Sequence, residues 1–141
     1  MSTRTNVLIE CGDTKLWLYR HHDGYLSETG YNLASILANS DCYDTFICSL
    51  LEQKYDASIY RNSEKIYEFS TGQHGDIEYL YSIKFLNKEV KFKAEHVASW
   101  EERKTLLDTD YFELSNQEVR KQLNFIIQEQ EEAYKRFYKI A

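Results

Sequence analysis

Residues 77–93 carry an alternation that a half-buried antiparallel hairpin satisfies and a helix does not. Ile77, Tyr79, Tyr81, Ile83 and Phe85 occupy every second position, with Glu78, Leu80, Ser82 and Lys84 between them. After a tight turn at residues 86–88, Val90 and Phe92 alternate with Lys91 and Lys93. Successive strand residues point to opposite faces, so one face of this hairpin is expected on a core and the other toward water. The N-terminus reads the same way. A β-branched run at residues 5–10 meets a turn at Cys11-Gly12-Asp13 and is followed by residues 14–20. So short a connection predicts a second hairpin, with Leu16, Leu18 and Arg20 on one face and Trp17 and Tyr19 on the other.

Between the hairpins the period changes. Leu33, Ile36 and Leu37 recur at helical spacing, as do Tyr43, Phe46, Ile47, Leu50 and Leu51, with Ser40 or Asp41 placed to cap the second helix. Further strands are expected at residues 57–61 and 65–70, and a short helix around residues 100–104. At the C-terminus, Ser115 and Glu118 form a capping-box pattern in front of a stripe from Val119 to Tyr138. Strands in runs, with helices inserted at one place, predict an α+β fold. The expectation is an antiparallel sheet of about six strands, two helices after the first hairpin, and a long C-terminal helix. Residues 1–110 would form the α+β body. Residues 111–141 would form a helix that docks on the sheet or joins subunits into a homo-oligomer. With 141 residues, one domain is expected overall.

Charge narrows the partners. Seventeen basic and 23 acidic side chains give a net charge of -6 without a strong block, which argues against a long nucleic acid as partner. No apolar run approaches a membrane span, and no leader-like N-terminus is present, so a cytoplasmic protein is expected. Three cysteines without a C-x-x-C pair, two of them in apolar surroundings, read as buried reduced thiols. Aromatic residues make up 15% of the chain, more than one core needs; a tyrosine-rich sheet accounts for most of them, and a pocket or interface for the rest.

Two polar clusters hold the chemistry. The first, at residues 19–25, contains Tyr19, Arg20, His21, His22, Asp23, Gly24 and Tyr25. Arginine offers a planar donor fork for phosphate, histidine donates or accepts near neutral pH, and tyrosine rings stack on a base. The second contains His74, Asp76, Glu78 and Tyr79; in an extended segment the first three would share a face. If the strands that carry them pair, both clusters meet at one sheet end. The plainer reading is a strand-to-helix turn made by Asp23-Gly24 and a structural polar network around His74. No nucleophile elbow, phosphate-cradling loop or zinc-helix motif occurs, and neither a metal nor a cofactor is expected.

The segments MSTR at residues 1–4, YRHHDGY at residues 19–25 and HGDIEYLY at residues 74–81 resemble the MSTR, YRHxDGY and HGDxEYxY motifs of a family of small phage and prophage proteins. The resemblance covers about the first ninety residues. Leu26 stands where that family has proline. The resemblance implies a phage accessory protein that counters host defence. The expected function is capture and sequestration of a small anionic, nucleotide-derived signal, such as a cyclic nucleotide or a cyclic ADP-ribose-like molecule. Arg4, Tyr19, Arg20, His21, Asp23, Tyr25, His74, Asp76, Glu78 and Tyr79 would form the binding site. The alternatives are a small hydrolase or phosphodiesterase using His21, His22, Asp23, His74 and Asp76, and an inhibitor that binds a host defence protein.

Overall fold

The computed structural model describes residues 3–54, 65–97 and 102–114, together with residues 121 and 128. The elements in chain order are β1 (Thr5–Cys11), β2 (Thr14–Arg20), a single π-helical turn (Leu26–Gly30), α1 (Tyr31–Ala38), α2 (Tyr43–Glu52), β3 (Glu68–Ser70), β4 (Tyr79–Leu86), β5 (Glu89–Val97), β6 (Arg103–Asp108) and β7 (Phe112–Glu113). The sheet order is β3-β2-β1-β4-β5-β6, and β7 pairs with β5 beside β6.

The expected wholly antiparallel sheet is corrected: the described residues form a mixed sheet of seven strands. β1 and β4 run parallel, in register from Thr5 opposite Tyr79 to Cys11 opposite Phe85. The physical reason is the crossover. The β1–β2 hairpin already returns the chain to the starting end of β1, with Arg20 opposite Thr5. The helices and β3 carry it across to the other side of β1, where β4 sets out from that same end and therefore runs parallel. Both expected hairpins are present: β1 with β2 around a turn with Gly12 at φ 61°, and β4 with β5 around a turn with Asn87 at φ 56°.

Local expectations also change. Arg103 and Lys104, assigned to a short helix, begin β6, an edge strand paired with β5. Phe112 and Glu113, assigned to the C-terminal helix, form β7, with Phe112 buried against β5. A long C-terminal helix is not among the described elements, and the positions from Ser115 onward where it was expected lie outside the described residues except 121 and 128. The strand expected at residues 57–61 lies outside them as well. Finally, α2 is capped by Cys42, whose amide donates to Thr45 Oγ1 at 3.1 Å, while Ser40 turns back to donate to the Ile36 carbonyl at 2.6 Å. The expected burial of the cysteines is corrected, since Cys42 at the cap and Cys48 on α2 are exposed and Cys11 at the end of β1 is half-buried.

The core lies on one face. Val7 and Ile9 of β1, Leu18 of β2, Tyr81 and Ile83 of β4 and Phe92 of β5 meet Leu33 and Leu37 of α1 and Phe46 and Leu50 of α2. The opposite face carries a smaller cluster in which Ile77, Leu80 and Val97 pack with Trp17 and Tyr19. Ile77 was expected beside Tyr79 and Tyr81. It joins Leu80 instead, because β4 begins only at Tyr79 and the chain bends before it.

Candidate functional site

Parallel pairing brings the start of β1, the end of β2 and the approach to β4 to the same end of the sheet, where Thr5 lies opposite both Arg20 and Tyr79. The two polar clusters therefore meet, with β1 between their strands. Asn6 joins them from within. Fully buried, it donates through Nδ2 to the Leu18 carbonyl at 2.8 Å and accepts the His74 amide at Oδ1, 2.7 Å away. Glu78 acts through its backbone, its N–H donating to the Arg4 carbonyl and its own carbonyl accepting the Val97 amide.

On the face away from the helices, His74 stacks on Tyr19 with ring centroids 4.2 Å apart and planes 14° apart. The Tyr19 hydroxyl lies 2.9 Å from His21 Nδ1, and Arg4 Nε donates to that same nitrogen at 3.4 Å. With Nδ1 accepting, a neutral His21 ring carries its proton on Nε2, which can donate to a ligand oxygen. Arg4 also pairs with Asp76 at 3.3 Å. His22 sets its ring at 79° to His21, 4.6 Å between centroids. Burial raises the Tyr19 hydroxyl above its ordinary pKa, with Asp76 adding to the rise and Arg4 opposing it. The hydroxyl is thus held as a neutral donor.

The remaining expected residues lie on the core side or at its margin. Arg20 is buried, its guanidinium 5.7 Å from the centre of the Tyr67 ring and 4.0 Å from Asp23. Asp23 adopts φ 59°, a left-handed conformation that aspartate tolerates, and its carbonyl accepts the Thr29 hydroxyl at 2.7 Å. Gly24 donates to the Thr3 carbonyl at 2.9 Å, and Tyr81 donates to the Gly24 carbonyl at 2.7 Å. Tyr25 meets buried Tyr79 edge-on with centroids 6.2 Å apart. Asp23 and Gly24 thus act as the turn pair of the plainer reading.

The structure brings Arg4, Tyr19, His21, His74 and Asp76 together, with His22 at the edge. It places Arg20 and Tyr79 on the core side and Asp23 in the half-exposed turn after β2, and leaves the Glu78 side chain exposed. His74, Asp76 and Glu78 do not alternate along an extended strand, because residues 75 and 76 turn. Among the described residues, no group of three or more histidine, cysteine or acidic side chains is placed to hold a metal ion. Also among them, no helix is long and apolar enough to cross a membrane. Sequence reasoning missed Asn6. Its signal was an asparagine, a poor strand former, inside the apolar run of β1.

No protein-family model, curated protein or solved structure matches the chain. The site is therefore read from its own chemistry.

Proposed function

We propose that this chain binds and sequesters a small nucleotide-derived anion at the sheet end formed by Arg4, Tyr19, His21 and His74, as a phage-type counter-defence protein would. The observation that carries the reading is the Tyr19–His74 stack with the Arg4 guanidinium beside it on His21. Stacked rings offer a platform for a base, and an arginine fork takes a phosphate. The Arg4–Asp76 pair is about half exposed, and such pairs are worth roughly 0–1 kcal/mol. A ligand phosphate can therefore take Arg4 from Asp76 at small cost.

Titration calorimetry against cyclic dinucleotides and cyclic ADP-ribose isomers tests the proposal. The expected result is saturable binding of at least one, weakened tenfold or more by Arg4→Gln and by His74→Ala. Ligand recovered intact after denaturing the complex distinguishes capture from hydrolysis. Absence of binding across the panel would overturn the reading.

A further inference from the structure

A second feature lies on the same open face, farther along the strands. Leu8 and Glu10 of β1, Ser82 and Lys84 of β4, and Lys91 and Lys93 of β5 surround a groove of about 250 Å³. The register explains the convergence. Lys84 stands directly opposite Lys91 and Ser82 opposite Lys93, while Leu8 and Glu10 flank Ser82 and Lys84 on the other side. Neighbouring strands are about 4.8 Å apart and alternate residues about 7 Å apart, so three ammonium groups start from a patch roughly one phosphate ester across.

Like charges placed opposite each other on a sheet face destabilise it. Here the Lys84–Lys91 pair stands in a chain whose net charge is -6. Lys91 reaches Asp108 at 3.7 Å and Lys93 reaches Glu95 at 4.0 Å. Both lysines are more than a third exposed, and these long contacts leave ammonium protons for another acceptor. Glu10 would repel sulfate and phosphate alike, and it offsets that repulsion only for an anion bearing a hydroxyl, from which it accepts a hydrogen bond that sulfate cannot donate. Leu8 supplies an apolar wall.

We propose that this groove is a second anion site, separate from the sheet-end cluster, which takes a phosphate ester bearing a free hydroxyl. Lys84, Lys91 and Lys93 hold the phosphoryl oxygens and Glu10 accepts from the hydroxyl. Ribose 5-phosphate is the probe, with sodium sulfate as the control anion. Trp17, opposite Leu8 in the register and on the same face, reports occupancy by fluorescence once Trp100 is replaced by phenylalanine.

The expected result is saturable binding of ribose 5-phosphate that weakens as salt rises. The double variant Lys84→Gln/Lys91→Gln should lose at least tenfold in affinity, and Lys93→Gln severalfold. Glu10→Gln should reduce the preference for the ester over sulfate. The lysine variants remove like-charge repulsion, so thermal melting is expected to show them folded. Arg4→Gln should leave this binding unchanged, which separates the groove from the sheet-end site. Absence of binding at millimolar probe, or binding that the double lysine variant leaves intact, would overturn the proposal.

Discussion

Gly24 and Tyr81 show how the turn after β2 is fixed. A Cβ built on Gly24 would lie 2.9 Å from the Thr3 carbonyl oxygen and 3.0 Å from Thr5 Cβ. Neither neighbour is the free end of a long side chain, so the backbone must move. Gly24→Ala is expected to cost about 1–3 kcal/mol in urea unfolding, the usual range for overpacking. Tyr81 donates to the carbonyl of that same glycine and is fully buried. Burial first, then the neighbouring Tyr79 and Tyr67 hydroxyls, raise its pKa well above the ordinary value, with Arg20 opposing. The unfolded chain therefore loses this proton at lower pH than the folded one. Stability from this group is present below pH of about 10 and falls above it, by at most about 1.4 kcal/mol per pH unit. Tyr81→Phe should be less stable than the parent at pH 8 by about 1 kcal/mol, the usual worth of a hydrogen bond. It should also show a shallower decline between pH 9.5 and 11. Parallel declines in parent and variant would refute this assignment. Both polar clusters were legible in the sequence as chemistry. The split of Tyr19 and His21 from Arg20 follows from the two-residue strand period, which also put Arg20 with Leu16 and Leu18. That Asp23 and Gly24 serve the turn was legible too, as the plainer reading; the approach of the Thr3 carbonyl to Gly24 was not, because no local pattern encodes it.

β1 is the element on which the sheet and the site both depend, since it pairs with β2 on one side and β4 on the other. Asn6 turns that position into a connection, holding Leu18 of β2 and the amide of His74 at once. Asn6→Ala should destabilise the fold by about 1–3 kcal/mol, because it leaves a buried carbonyl without its donor. Hydrogen exchange at the His74 amide should accelerate more than exchange in the β4–β5 hairpin, which meets Asn6 through the backbone ladder and not through the side-chain amide that the substitution removes. Uniform acceleration across the sheet would show that Asn6 supports the fold alone. The hairpins were legible because their turns and alternation are local. The β1–β4 pairing was not, because 67 residues lie between Cys11 and Tyr79 and two hairpins read in series suggest an antiparallel sheet. β6 was hidden by its polar start, Arg103-Lys104-Thr105, which an edge strand tolerates and a buried one does not.

Across the molecule, the candidate site gathers the N-terminal arm, the end of β2 and the approach to β4. A ligand that bridges them binds only the folded chain and must raise its stability. At one hundred times its dissociation constant, such a ligand adds about 2.7 kcal/mol, a shift of roughly 6–10 °C in melting temperature for a domain near this size. Arg4→Gln removes a charged hydrogen bond worth about 1.5–3 kcal/mol to the ligand. At the same ligand concentration it should reduce the shift by half or more. Its melting temperature without ligand should scarcely change, since the Arg4–Asp76 pair is exposed. Asp76 supplies the sharper test, because it competes with an anion for the same guanidinium. Asp76→Asn should tighten binding by up to about fivefold, the equivalent of about 1 kcal/mol for the exposed pair it releases. The thermal shift should grow accordingly. If Asp76→Asn weakens binding instead, the carboxylate contacts the ligand directly, and the picture of an arginine held in wait by its neighbour fails.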